Sequence, residues 1–136
     1  MTVAELTQKF AELESRIAEE KGAFALFALF MREDAPDRWD LIVSAPWLGD
    51  DKRAAVNYFV AQIKSRLGEQ DLTSLSRIVV VDPEDAAVQA LNRAIQTEHG
   101  SVEVRDSNFF GLPVKHAFII TSKRPPAPAL SNREDR

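Results

Sequence analysis

The chain has 136 residues, of which 45% are hydrophobic and 28% charged, a composition ordinary for one globular domain. Its 17 basic and 21 acidic side chains give a net charge of −4, which disfavours binding to nucleic acid through a basic surface. Because the sequence contains no cysteine, disulfides, thiolate catalysis and cysteine-ligated metal sites are excluded.

Hydrophobic segments are too short to cross a membrane. The longest run, residues 23–31, has nine residues, whereas a spanning helix needs about 20. The first 21 residues mix acidic and basic side chains, unlike a signal peptide, in which a basic start leads into an apolar stretch. We therefore expect a soluble, cytoplasmic protein without membrane contact.

The first predicted element is a helix that begins after Thr2 and ends at Gly22. Thr2 and Glu5 have the spacing of a capping box, and apolar residues then recur at steps of three and four. These apolar residues are Val3, Leu6, Phe10, Leu13 and Ile17. Alanines widen the apolar surface beyond a coiled-coil seam, so the pattern favours packing on a sheet, with helix-mediated dimerisation as the alternative.

Two strands are predicted next, and a polar turn joins them as an antiparallel hairpin. Residues 23–31 indicate a buried strand, and alternation from Trp39 to Ala45 indicates its partner. An aspartate at 50 or 51 then caps a second helix near 51–67.

The third predicted strand is a run of β-branched residues, Ile78 to Val81. A continuous run of this kind is typical of a parallel strand that is covered on both faces. Asp82 and Pro83 follow, and we interpret them as the cap and the first position of a third helix.

The remaining predicted elements are a strand around Val102 and Val104, a loop over 106–113, and a strand over 114–122. The sequence thus predicts one α/β or α+β domain, residues 1–123, with the order α-β-β-α-β-α-β-β. Strands two, three and four are expected to run parallel in the centre of a mixed five-stranded sheet, with antiparallel hairpins at its ends and three helices packed on it. Residues 124–136 are expected to form a disordered, proline-rich tail.

Acidic residues follow the three strands expected to be parallel. Asp50, Asp82 and Asp106 would then meet at the carboxyl edge of the sheet, where ligands bind in open α/β folds. Carboxylates are ligands that Mg²⁺ or Mn²⁺ prefers, so one hypothesis is a metal-dependent hydrolase of a phosphorylated substrate. The other interpretation is that these acids cap helices and turns.

Histidine and glycine provide few further signals. His116 shares a strand face with apolar residues, which favours a packing role over that of a general base. Glu103 and Arg105 are interpreted as a charge pair on a half-exposed strand. The five glycines are isolated, so phosphate-binding and dinucleotide-binding loops are absent.

Aromatic residues in predicted loops indicate a surface for protein contact. Trp47, Phe109 and Phe110 lie in such loops, and Tyr58 lies in a minor stripe of the second helix. Aromatic side chains dominate the binding energy of many interfaces. The favoured function is therefore a non-catalytic interaction module without a cofactor, which forms a homodimer or docks a protein partner; the alternative is the Mg²⁺- or Mn²⁺-dependent hydrolase.

Overall fold

Five strands form one mixed sheet in the computed structural model, which describes residues 2–124 of the chain. The strands are β1 (Leu26–Arg32), β2 (Trp39–Ser44), β3 (Leu75–Val80), β4 (Val102–Phe109) and β5 (Leu112–Ser122). The helices in this part of the chain are α1 (Val3–Lys21), α2 (Lys52–Arg66), α3 (Glu69–Thr73) and α4 (Ala86–Ala94). The predicted order is confirmed, with the short α3 and a 3₁₀ turn, Pro46–Leu48, added. The predicted tail lies outside the described residues, apart from Arg124.

The sheet has the strand order β3-β2-β1-β5-β4. β1 pairs antiparallel with β2 and β5, β5 pairs antiparallel with β4, and β2 pairs parallel with β3. The predicted mixed sheet is confirmed, but the prediction that β2, β3 and β4 run parallel in its centre is wrong. The parallel pair occupies one edge, and β4 runs the opposite way at the other edge.

Burial explains why β1 and β5 take the central positions. The side chains of β1 from Leu26 to Phe30 are at most 3% exposed, although they alternate between the two faces of the sheet. A strand that is apolar on both faces needs a neighbour on each side and a layer above and below. The charged side chains of β4 instead require an edge.

One face of the sheet is covered by α1 and α2. Phe10, Leu13 and Ile17 from α1 pack with Phe59 and Ile63 from α2 in the larger core cluster. Thr2 and Glu5 form the predicted capping box, and Gly22 ends α1 with a φ of 128°. The apolar stripe of α1 is therefore core, as the width of its hydrophobic surface indicated. None of the helices within residues 2–124 is long and apolar enough to cross a membrane.

The other face is covered only in part, by the nine-residue α4. Val88 and Leu91 pack on the sheet, and the amide of Asn92 donates to the carbonyl oxygen of Ala25 at 2.9 Å and to the hydroxyl of Ser122 at 3.1 Å. We call this side of the sheet the open face, because apolar side chains beyond α4 line a cavity there.

A buried carboxyl group fastens α1 to the centre of the sheet. Glu14 is fully buried, and its two oxygens lie 2.8 Å from the donating hydroxyl of Thr121 and 2.6 Å from Nδ1 of His99. His99 has a φ of 54°, and its backbone N–H donates to the hydroxyl of Thr121 at 3.1 Å. A buried polar group is tolerated in a core when its hydrogen bonds are satisfied, as they are here.

We predict that Glu14→Ala destabilises the fold by about 3–5 kcal/mol, because it leaves the partners of a buried carboxyl group unpaired. The measurement is urea unfolding followed by circular dichroism, with the midpoint compared at constant slope. Glu12→Ala is the matched control, since Glu12 is exposed on the same helix and its loss is expected to change stability by less than about 0.5 kcal/mol. Equal effects of the two substitutions would contradict the proposed fastening.

Candidate protein-interaction surface

The β-branched run of residues 78–81 lies at an edge of the sheet. β3 pairs with β2 on one side, and none of the other strands within residues 2–124 pairs with it on the other. Ile78 and Val80 pack against the helix-covered core, Val79 and Val81 pack on the open face, and all four are only partly buried. The prediction of a parallel strand is confirmed, since β3 pairs parallel with β2, but its predicted place in the centre of the sheet is wrong and its side chains are only partly covered.

The backbone of this edge leaves hydrogen-bonding groups free. The N–H of Val81 donates to the carbonyl oxygen of Val43 at 2.9 Å, which points it toward β2. In a parallel ladder alternate residues direct both backbone groups to the same neighbour, so Val79 also faces β2, whereas Ile78 and Val80 face outward. The outer edge of β3 thus offers donors and acceptors to an additional strand.

The opposite edge, β4, has features that prevent such pairing. Arg105 and Glu103 form an exposed ion pair with an N–O distance of 2.7 Å, as the sequence predicted. Asp106 has a φ of 50°, which interrupts the regular backbone of the edge. Charged side chains and irregular backbone are the usual means by which proteins block edge strands. The run of residues 78–81 carries neither.

A cavity of about 100 Å³ adjoins β3 on the open face. Its apolar lining comes from Phe30, Ile42, Val79, Val81, Phe109, Phe110 and Leu112. At one end lies Asp40, which is 2% exposed and accepts hydrogen bonds from Nε of Arg32 at 2.9 Å and from Nε of Arg77 at 3.0 Å. Sequence reasoning missed this contact, because Asp40 alternates with apolar residues on the side of β2 that was expected to be polar.

Phe109 and Phe110 line this cavity, Phe109 as the last residue of β4 and Phe110 in the tight turn that follows. β4 extends to Phe109 and β5 begins at Leu112, so the prediction of a loop over 106–113 is wrong. Phe110 and Gly111 have φ values of 56° and 75°, and a two-residue hairpin turn of this hand requires positive φ at both positions. Phe109 stacks on Phe30 with ring centroids 4.9 Å apart. A place for these two side chains in a partner contact stays a prediction.

Trp47 and Tyr58 are partly buried and contact each other, with ring centroids 6.1 Å apart. The indole Nε1 donates to the carbonyl oxygens of Gly22 and Ala23 at 2.9 and 3.1 Å. A Cβ at position 22 would lie 3.0 Å from the Trp47 ring, so the close contact requires glycine. Burial raises the pKa of the Tyr58 hydroxyl above its usual value, and the nearby charge of Glu20 adds to this effect. Their predicted interface role stays a prediction.

The three aspartates expected to share one edge are separated by the topology. Asp50 and Asp82 follow β2 and β3, whereas Asp106 lies within β4 at the opposite edge, three strand spacings from β2 and four from β3, each of about 4.8 Å. The expectation of a common acidic edge is wrong, because β4 pairs antiparallel with β5. Within residues 2–124, no group of three or more metal-ligating side chains is placed to hold a metal ion.

The helix caps differ in part from the expected ones. Asp51 caps α2 by accepting the N–H of Ala54 at 3.0 Å, one of the two predicted possibilities. Asp82 does not cap α4; its side chain accepts the N–H of Glu84 at 2.8 Å, and Asp85 caps the helix instead. A β-turn over residues 82–85, in which the N–H of Asp85 donates to the carbonyl oxygen of Asp82 at 3.0 Å, therefore precedes α4. Hydrolysis with Mg²⁺ or Mn²⁺ stays a prediction from the sequence.

His116 packs between aromatic rings and bonds to a carboxylate. Its ring centroid lies 4.6 Å from that of Phe118 and 5.8 Å from that of Trp39. Its Nε2 lies 2.5 Å from Oε2 of Glu103. This hydrogen bond, with a contribution from Arg105, holds the pKa of Glu103 below its usual range. A catalytic role for His116 stays a prediction.

No family model matches this chain, and neither a curated protein nor a solved structure is significantly similar to it. The geometry of the β3 edge and its adjoining cavity is therefore the basis for inferring the function.

We predict that amide exchange alternates along β3. In the monomer the N–H groups of Val79 and Val81 are protected by β2, whereas those of Ile78 and Val80 exchange at least tenfold faster. Residue-resolved NMR of hydrogen–deuterium exchange measures the difference. Uniform protection of all four amides in protein that sedimentation shows to be monomeric would contradict a free outer edge.

We also predict that the contact between His116 and Glu103 stabilises the protein only above acidic pH. The pKa of Glu103 is lowered in the folded state, so its contribution is present above the unfolded value of 4.5 and is lost as pH falls through the lowered folded value. Urea titrations from neutral to acidic pH give the free energy of unfolding of the wild type and of Glu103→Gln. We expect the wild type to be the more stable near neutrality and the difference to disappear in acid. In a His116→Phe background the pH dependence of that difference should shrink; an unchanged dependence would contradict the assigned cause.

Proposed function

We propose that this chain is a non-catalytic protein-interaction module of the cytoplasm, which binds an extended protein segment along the outer edge of β3. The observation that carries the proposal is the position of residues 78–81, a β-branched run on an edge strand whose outer side pairs with no segment of residues 2–124. The segment belongs to a second copy or to another protein.

Strand addition fits both the backbone and the side chains of this edge. Recognition of this kind gains affinity from main-chain hydrogen bonds and specificity from pockets for alternate side chains. Ile78 and Val80 supply the outward backbone groups. Val79 and Val81 lie beside the cavity of the open face, which accepts apolar side chains of the added strand.

Burial of apolar surface also favours the addition of a strand to β3. All four side chains of the run remain partly exposed, and an added strand would remove apolar surface from water on both faces of the sheet. The hydrogen-bonding groups of β3 would be satisfied at the same time. Edge strands without such a partner are normally charged, bulged or short; β3 has its irregularity before Arg77, and the run of residues 78–81 that follows carries no charge.

The test is the substitution Val80→Pro. Proline is tolerated on an edge strand where the N–H faces solvent, so this change removes an outward donor and leaves the ladder to β2 intact. A displayed library of ten-residue peptides is selected on the wild type and then rebound to the variant. We expect enrichment of extended apolar peptides, and their affinity for Val80→Pro should be at least tenfold lower than for the wild type. If self-association already occupies the edge, sedimentation shows dimers instead.

Val79→Pro is the matched control, because it removes a hydrogen bond within the sheet. It should lower stability strongly, whereas Val80→Pro should keep the circular dichroism spectrum and most of the stability of the wild type. A wild type that is monomeric at millimolar concentration and selects no peptide dependent on residue 80 would overturn the proposed function.

A further inference from the structure

We propose that the occupant of the β3 edge is a second copy of this chain, paired antiparallel about a twofold axis that passes beside Val79. This inference rests on the proposed function and names the partner of the same edge. Pairing of β3 with β3 would extend the two sheets into one sheet of ten strands and would leave both β4 edges at its ends.

Geometry restricts the register of this pairing. Residues that face each other across an antiparallel ladder lie on the same face of the sheet, and hydrogen-bonded pairs must join residues whose backbone groups point outward. Ile78 therefore faces the second copy's Val80, and the second copy's Ile78 faces Val80. Val79 then faces its own counterpart as a non-hydrogen-bonded pair on the axis.

The residues that flank the run favour this register over its neighbours. With Val79 on the axis, pairing is confined to residues 77–81, which exclude the irregularity of β3 at Ser76, and Arg77 lies opposite Val81, which the aliphatic part of its side chain can cover. A shift that centres Val80 would place Asp82 opposite Ile78, an acid against an apolar side chain. A shift that centres Ile78 would place Ser76 opposite Val80 and would lose an apolar pair.

Self-pairing also closes the assembly. A twofold contact uses the same edge on both copies and leaves no free β3, whereas a contact between β3 and β4 would continue without limit into a fibre. The ion pair and positive φ on β4 act against that second arrangement. The run of residues 78–81 is apolar on both faces, so an identical strand matches it on both faces.

Cysteine cross-linking tests the register directly, because the wild type contains no cysteine. Non-hydrogen-bonded antiparallel residues have Cα atoms about 4.5 Å apart, which lies within the range of a disulfide. Under oxidised glutathione, Val79→Cys should form a covalent dimer at least tenfold faster than Ile78→Cys, whose counterpart is displaced by two residues. Ser107→Cys on β4 is a second control and should form no more dimer than Ile78→Cys. Each variant is first checked for the wild-type circular dichroism spectrum.

Sedimentation velocity supplies the second measurement. The wild type should be a dimer at micromolar concentration, and Val80→Pro should shift it to monomer without unfolding. Cross-linking of Ile78→Cys as fast as that of Val79→Cys would overturn the register. A monomeric wild type that still binds selected peptides through residue 80 would overturn the second copy as partner and leave the proposed function standing. A monomer that binds no such peptide would overturn both.

Discussion

Burial of β1 on both faces is the constraint that arranges the rest of the molecule. Its side chains from Leu26 to Phe30 are almost completely inaccessible to water, so β1 needs a strand on each side and packing above and below. β2 is supplied by the hairpin and β5 by the end of the domain. With these three strands in the middle, β3 and β4 can only be edges. The parallel pair is therefore peripheral, and the acids that follow β2 and β3 are far from Asp106.

The two edges that result have different chemistry. β4 alternates charged and partly buried side chains and has an irregular backbone at Asp106, so it can remain in water without attracting another strand. β3 has its irregularity before Arg77 and then continues into four consecutive β-branched side chains, residues 78–81, a pattern typical of a strand that is covered on both faces. Because the edge strand β3 has the sequence pattern of a central strand, we infer that another chain completes the sheet.

Local signals in the sequence predicted the elements well, and long-range pairing could not be predicted from them. The capping box of Thr2 and Glu5, the order of elements and the mixed sheet are confirmed. The β-branched run was correctly predicted as a strand, but its place in the sheet depends on which strand β1 pairs with, and no local pattern records that. Phe110 and Gly111 form a turn because both adopt positive φ; an aromatic residue at the first position hides the hairpin that Asn-Gly would reveal. Glu14 was missed because its partners His99 and Thr121 lie far away in the sequence, and Asp40 because alternation placed it on the side of β2 that was expected to be polar.

The contacts of Asp40 explain how an edge strand can be held ready for a partner. Arg32 on β1 and Arg77 on β3 both donate to the same carboxylate oxygen of β2, so one buried group fixes three adjacent strands in register. Because Arg77 directly precedes the run of residues 78–81, this contact sets which backbone groups face outward and where Val79 and Val81 lie relative to the cavity. A strand that is already fixed in position loses little conformational entropy when it binds, and such preorganisation favours affinity. The same carboxylate therefore contributes to the stability of the sheet and to the readiness of its free edge.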